Sequence, residues 1–259
     1  MTMSAAQIQV CKDAETLAQF TCRWLVGLIQ EHQSASTEPF SVCLAGGSTP
    51  KRLYQLLAEL PPDTIDWTRV VLIWGDERNV SIDDDQSNYR MVRENLIDHI
   101  AIPAENVLGM PDPGGTASDV AAQYEILLKE KLAGADGCIR LDCVLLGMGD
   151  DVHTASLFPG TTALEENERL VVENWVEKFD CWRVSLTAPA LNSAKCVAFL
   201  IAGAGKEPAL NQLWHGARDA SQFPSQLIAP IEGQLHFMLD QSALGENRPP
   251  EDCMLEFVD

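Results

Sequence analysis

The segment LLGMGDDVHTASLFPG, Leu145 to Gly160, decides how this chain reads. The short apolar run Cys143-Val144-Leu145-Leu146 passes straight into glycines, two aspartates and a histidine. An unbroken apolar run of that length marks a strand buried on both faces, as in a parallel sheet. In open α/β sheets, ligands gather just beyond the carboxyl ends of the strands. His153 follows Asp150 and Asp151 at such a strand end, which makes it a candidate general base. A lone histidine reads as a satisfied core imidazole, and the two aspartates reverse that reading. His32, His99, His215 and His236 have no comparable setting and read as structural or exposed.

Outward from this segment, strands and helices alternate. Ile8-Gln9-Val10 reads as a short first strand, and Asp13 caps a helix with Leu17, Phe20, Trp24 and Leu28 inward. Ser41 to Ala45, Val70 to Trp74, Asp142 to Leu146, Arg183 to Thr187 and Cys196 to Ile201 read as strands. Helices are predicted after Gly47, from about Asn88, from about Asp119 to Leu132, and from near Pro208. This alternation predicts a single doubly wound α/β domain over residues 1–259, a mostly parallel sheet with helices on both faces.

Parallel strands end on one side, so the polar residues after four of them are expected to meet in one crevice. Ala45-Gly46-Gly47-Ser48-Thr49-Pro50 combines glycines that permit close backbone approach with Thr49 as an expected N-cap and Pro50 in the first turn. Free N–H groups there suit a phosphate, although the spacing is neither a Walker A loop nor a dinucleotide fingerprint. Gly203-Ala204-Gly205-Lys206 repeats the theme, and a lysine at a helix start opposes the dipole unless an anion joins it. Arg183 reads as a second phosphate ligand or a surface ion pair. In Asp76-Glu77-Arg78, part of the cluster reads as structural, and Arg78 is the functional candidate because guanidinium binds carboxylate or phosphate in pairs of hydrogen bonds.

Composition limits the partners. The chain has 259 residues, 18 Lys and Arg against 38 Asp and Glu, and a formal net charge of −20. Nucleic acid and anionic membranes are poor partners for such a field, and an anionic small molecule must meet a local cluster of cations. The eight cysteines form no C-x-x-C pair, and no two histidines are spaced i, i+4, so no metal is expected. Cys43, Cys143 and Cys196 fall in buried strands, which fits a reducing cytoplasm. The N-terminus shows no signal-peptide pattern, and no apolar run is long enough to span a bilayer.

Taken together, AGGSTP (45–50), WGDERNV (74–80), SNY (87–89), LLGMGDDVHTASLFPG (145–160), RVSLTAPALNSAK (183–195), FLIAGAGKEPAL (199–210), QLIAP (226–230) and FMLD (237–240) resemble the glucosamine-6-phosphate isomerase/6-phosphogluconolactonase family. ASLFPG and SLTAPALN look like its lactonase branch. The resemblance implies hydrolysis of 6-phospho-D-glucono-1,5-lactone to 6-phospho-D-gluconate in the oxidative pentose phosphate pathway, without a cofactor. It implies His153 as base on water, Asp151 (or Asp150) orienting the imidazole and Arg78 near the lactone or its developing carboxylate. Phosphate would bind Gly46, Gly47, Ser48, Thr49, Arg183 and Lys206. The alternatives are an amino-sugar-phosphate isomerase/deaminase and a non-catalytic sugar-phosphate binder. One departure stands out: the family pattern Asp-Gly-His is Asp151-Val152-His153 here. A resident valine predicts a negative φ at 152, since β-branched residues avoid the left-handed region. The tail from Gly245 to Asp259 passes the last family motif and reads as a flexible extension, of which Met254 to Val258 is apolar enough to pack back.

Overall fold

The apolar runs assemble into one sheet. A computed structural model describes residues 6–134 and 138–258. In chain order, its strands and helices are β1 (Gln7–Cys11), α1 (Ala14–Ala35), β2 (Phe40–Leu44), α2 (Ser48–Ala58), β3 (Val70–Trp74), β4 (Asp76–Arg78), α3 (Asn88–Asn95), β5 (Val107–Leu108) and α4 (Ala117–Leu132). They continue with β6 (Cys143–Leu146), β7 (Val171–Val176), β8 (Cys181–Leu186), α5 (Ala188–Asn192), β9 (Cys196–Ile201), α6 (Glu207–His215), β10 (Gln234–Asp240), α7 (Gln241–Leu244) and β11 (Met254–Val258).

Eight strands form the main sheet in the order β11-β1-β10-β9-β6-β2-β3-β5, and every neighbouring pair is parallel. β2, β3, β6 and β9 are buried along their whole length, which explains their unbroken apolar runs. From β2 the chain moves outward through β3 to β5, whereas from β6 it moves the other way through β9 to β10. The topological switch point therefore lies between β2 and β6, and the loops that leave these strands flank one crevice.

Several sequence expectations change here. Arg183 lies within β8, which belongs to a separate antiparallel sheet ordered β4-β8-β7 and not to the parallel sheet. α4 packs against β7 and β8 and covers this small sheet. The buried stripe of α1 is Leu17, Ala18, Thr21, Cys22, Leu25 and Ile29, while Phe20, Trp24 and Leu28 flank the core half-buried. α1 meets both β10 and α2, so its apolar surface is wider than a single stripe. Met254–Val258 extends the sheet as an edge strand parallel to β1. Cys43, Cys143 and Cys196 are buried free thiols. Among the described residues, no helix is long and apolar enough to cross a membrane.

Candidate active site

The loops after β2, β3, β6 and β9 border a cleft of about 580 Å³, lined among others by Gly46, Gly47, Arg78, His153, Arg183 and Lys206. Ser48 and Thr49 border a different hollow, with Glu15, Arg52 and Asp240. Thr49 is not the N-cap of α2: Gly47 takes that position with φ +102°, and the helix begins at Ser48. A positive φ at Gly47 turns the chain sharply out of β2, so the helix starts earlier than the Thr-Pro pair suggests. Gly46 is glycine for space, because a Cβ there would collide with the Asn88 side-chain amide.

His153 and Asp151 form a hydrogen-bonded pair through Nδ1 and Oδ1. Asp150 does not reach the imidazole and instead meets Lys178 Nζ at 3.1 Å. Gly149 makes the pair fit, since any side chain at 149 would strike both the imidazole and the Asp151 carboxylate. With Nδ1 engaged, Nε2 is the nitrogen left for chemistry. Phe158 stacks on the imidazole with ring centroids 3.9 Å apart. Burial pushes the Asp151 carboxyl up, but hydrogen bonds from His153 and Lys178 outweigh it and hold the group well below the usual carboxylate range.

Val152 has φ +62°, opposite to the sequence expectation. Its surroundings over-determine this backbone. The side chain is buried in the core, and its carbonyl accepts hydrogen bonds from Ser225 N–H at 2.9 Å and Ser225 Oγ at 2.7 Å. Packing and these hydrogen bonds hold a conformation that a β-branched residue disfavours.

The opposite wall comes from the small sheet. Arg78 on β4 sits directly across from Arg183 on β8. Like charges directly opposite on antiparallel strands repel. Arg183 is only 7% exposed, its Nε donates to Cys181 Sγ at 3.3 Å and its guanidinium lies over the Phe179 ring, 5.5 Å from the centroid; among the described residues its other nitrogens have no hydrogen-bond or ion-pair partner. Arg78 donates to the Gln86 carbonyl, and its buried Nε is unpaired among the described residues. Lys206, just before α6, likewise has no ion-pair partner among the described residues.

Glu77 plays a different part from its neighbours. It accepts hydrogen bonds from the N–H groups of Arg78, Asn88 and Tyr89 and from Ser87 Oγ, which anchors the start of α3. Burial pushes its carboxyl up despite those donors. Asp76 Oδ2 accepts from Ser156 Oγ at 2.6 Å and so ties β4 to the histidine loop. The remaining histidines are structural: His32, His99 and His215 contact backbone carbonyls, and His236 packs against Trp24.

Sequence reasoning missed Lys178, Phe158 and Phe179. Lys178 and Phe179 lie on the turn between β7 and β8, and only the folded hairpin brings Phe179 to the cleft and Lys178 to the Asp150 and Asp151 carboxylates. Phe158 was visible inside ASLFPG, but nothing in its spacing shows that it stacks on His153.

Residues 12–237 match the family model described as glucosamine-6-phosphate isomerases/6-phosphogluconolactonase. A 6-phosphogluconolactonase from Nostoc sp. is 42% identical over 208 residues, covering 80% of this chain and 84% of the relative. One from Synechocystis sp. is 40% identical over 211 residues, covering 81% of this chain and 85% of the relative. The solved structure of 6-phosphogluconolactonase from Trypanosoma brucei superposes with a TM-score of 0.83 at 28% identity, covering 95% of this chain and 100% of that one. On the strength of the sheet order, the cleft and these matches, the chain belongs to the glucosamine-6-phosphate isomerase/6-phosphogluconolactonase family.

Proposed function

We propose that this chain hydrolyses 6-phospho-D-glucono-1,5-lactone to 6-phospho-D-gluconate, the lactone-opening step of the oxidative pentose phosphate pathway. The observation that carries the reading is the Arg78–Arg183 cross-strand pair lining one cleft together with His153, whose Nδ1 is held by Asp151. In a chain of net charge −20, two opposed guanidinium groups and a free lysine make sense around an anion.

The chemistry follows from the groups. His153 Nε2 takes a proton from water as its oxygen bonds to the lactone carbonyl carbon. Negative charge then builds on the carbonyl oxygen, and Arg78 faces it. The tetrahedral intermediate collapses by breaking the bond to the ring oxygen, which receives the proton back from the imidazolium. Asp151 holds the Nδ1 proton throughout and stabilises the charged ring. The phosphate lies against Gly46 and Gly47 at the start of α2, with Arg183 and Lys206 as counter-charges, while Ser48 and Thr49 border the neighbouring hollow. No metal or organic cofactor enters this scheme. Free thiols and a dianionic substrate fit a reducing cytoplasm.

The test is a pH-stat assay on freshly generated lactone, in which each ring opening releases acid. Acid release well above the spontaneous rate supports the reading. Ammonia release from glucosamine 6-phosphate without lactone hydrolysis overturns it in favour of the deaminase branch. Tight binding of 6-phosphogluconate without turnover of either substrate leaves a non-catalytic binder.

A further inference from the structure

The turn between β7 and β8 reaches the histidine loop from the small sheet. There, Lys178 Nζ lies 2.9 Å from Asp151 Oδ2 and 3.1 Å from Asp150 Oδ1. Asp151 thus divides its carboxylate, with Oδ1 on the imidazole and Oδ2 on a lysine from another element. We propose that Lys178 is a positioning residue of the His153–Asp151 pair: it clamps the carboxylate in place, and its charge keeps the imidazole in its proton-accepting form at more acid pH. The proposal rests on the reading of His153 as the base.

The physical argument is a balance of charge. A carboxylate beside an imidazole favours the imidazolium, and an imidazolium cannot accept a proton from water. Two carboxylates on one loop, Asp150 and Asp151, would make that worse. Lys178 meets both and offsets them while leaving Oδ1 free to fix Nδ1. The other charged groups around His153 come from several elements. β4 supplies Asp76 and Arg78, the loop after it Asp85, β8 Arg183, and the segment before α6 Lys206, while Glu173 of β7 and Glu177 of the hairpin turn border the hollow that Asp151 and Lys178 share. Among the described residues none of these contacts the Asp151 carboxylate, whereas Lys178 Nζ lies 2.9 Å from its Oδ2. Lys178 also lies over the Phe179 ring, 5.5 Å from its centroid, and Phe179 meets Phe158 edge-on beneath the imidazole. Carboxylate and ring are therefore gripped from the same hairpin.

The test uses full-length protein with Lys178→Met, which keeps most of the aliphatic stem, and Lys178→Arg, which keeps the charge. The His153 imidazole is titrated by NMR and assigned by its loss in His153→Asn. In Lys178→Met the midpoint is expected to rise by roughly 0.5–1 pH unit, the scale of removing one nearby, partly screened charge. The acid limb of kcat/KM should move with it, and Lys178→Arg should restore both. A lysine that merely braces the hairpin would alter thermal stability and leave the midpoint alone. An unmoved midpoint in Lys178→Met overturns the proposal. A midpoint that moves while the acid limb stays put instead overturns the reading of His153 as the base.

Discussion

Val152→Gly sets two contributions against each other at one residue. Valine at φ +62° stores about 1–3 kcal/mol of backbone strain, which glycine releases. The valine side chain is only 2% exposed, and its burial contributes about 1.5–3 kcal/mol, which glycine loses. Glycine also frees the unfolded chain, at a cost of about 0.5–1 kcal/mol. Loss outweighs relief by on the order of 1 kcal/mol, so Val152→Gly should unfold slightly more easily than the parent. The sharper comparison is with Val152→Ala. Alanine loses most of the same burial but keeps a Cβ in the left-handed region, which costs about 1–2 kcal/mol. The usual order, alanine above glycine, should therefore be level or reversed here. Urea unfolding of the three proteins without ligand measures this. Alanine more stable than glycine by a full kcal/mol would refute the reasoning and place the working backbone at negative φ.

His153→Asn should keep the fold and lower kcat by roughly a hundredfold or more, the scale of losing a general base; near-normal turnover by a folded variant would remove His153 from that role. Arg183→Ala and Lys206→Ala should each weaken binding of the phosphorylated lactone by about 1.5–3 kcal/mol, seen mainly in KM, and leave unphosphorylated gluconolactone unaffected. Equal losses on both substrates would place these groups away from the phosphate. Arg183→Ala should also lose most of the rise in Tm that inorganic phosphate gives the parent, because a counter-charge of the bound phosphate is gone. The Asp151 carboxyl is held low in the folded protein, so the native state binds fewer protons than the unfolded chain. That contribution is full above the unfolded value near 3.9 and drains as pH falls below it. The stability gap between parent and Asp151→Asn should accordingly begin to narrow as pH falls through about 4 and go on narrowing below about pH 3. A gap constant with pH would mean that Asp151 carries no such linkage.

The parallel strands were legible because their physics is local. β3 and β9 coincide with the apolar runs read for them, and β2 and β6 lie within a residue of theirs. A strand buried on both faces writes itself as consecutive apolar residues, and the polar segment that follows is the crevice. β7 carries Glu173 and Asn174 in its middle and β5 has two residues, so neither gives a run to read. β11 hides in an acidic tail, where MLEFV alone says little about a partner as distant in sequence as β1.

What the sequence could not supply is pairing between segments far apart in the chain. Arg78 and Arg183 stand 105 positions apart; the sequence makes Arg78 a functional candidate and Arg183 a phosphate ligand or a surface ion pair, and only the antiparallel register sets them face to face. Lys178 carries no motif and acquires meaning only where the hairpin turn meets Asp150 and Asp151. Val152 shows the converse, a residue whose own preference pointed the wrong way. Local propensity favours negative φ for valine, yet a buried side chain and two hydrogen bonds from Ser225 to its carbonyl prevail. Each of these departures lies at or beside the cleft that His153 lines. There the fold sets like charges opposite each other and holds a strained backbone, and both arrangements cost stability, the kind of local departure expected at a functional site. An anion against the two arginines would remove the first cost, and on the proposed reading of His153 as the base, a histidine fixed for proton transfer gives the second its purpose.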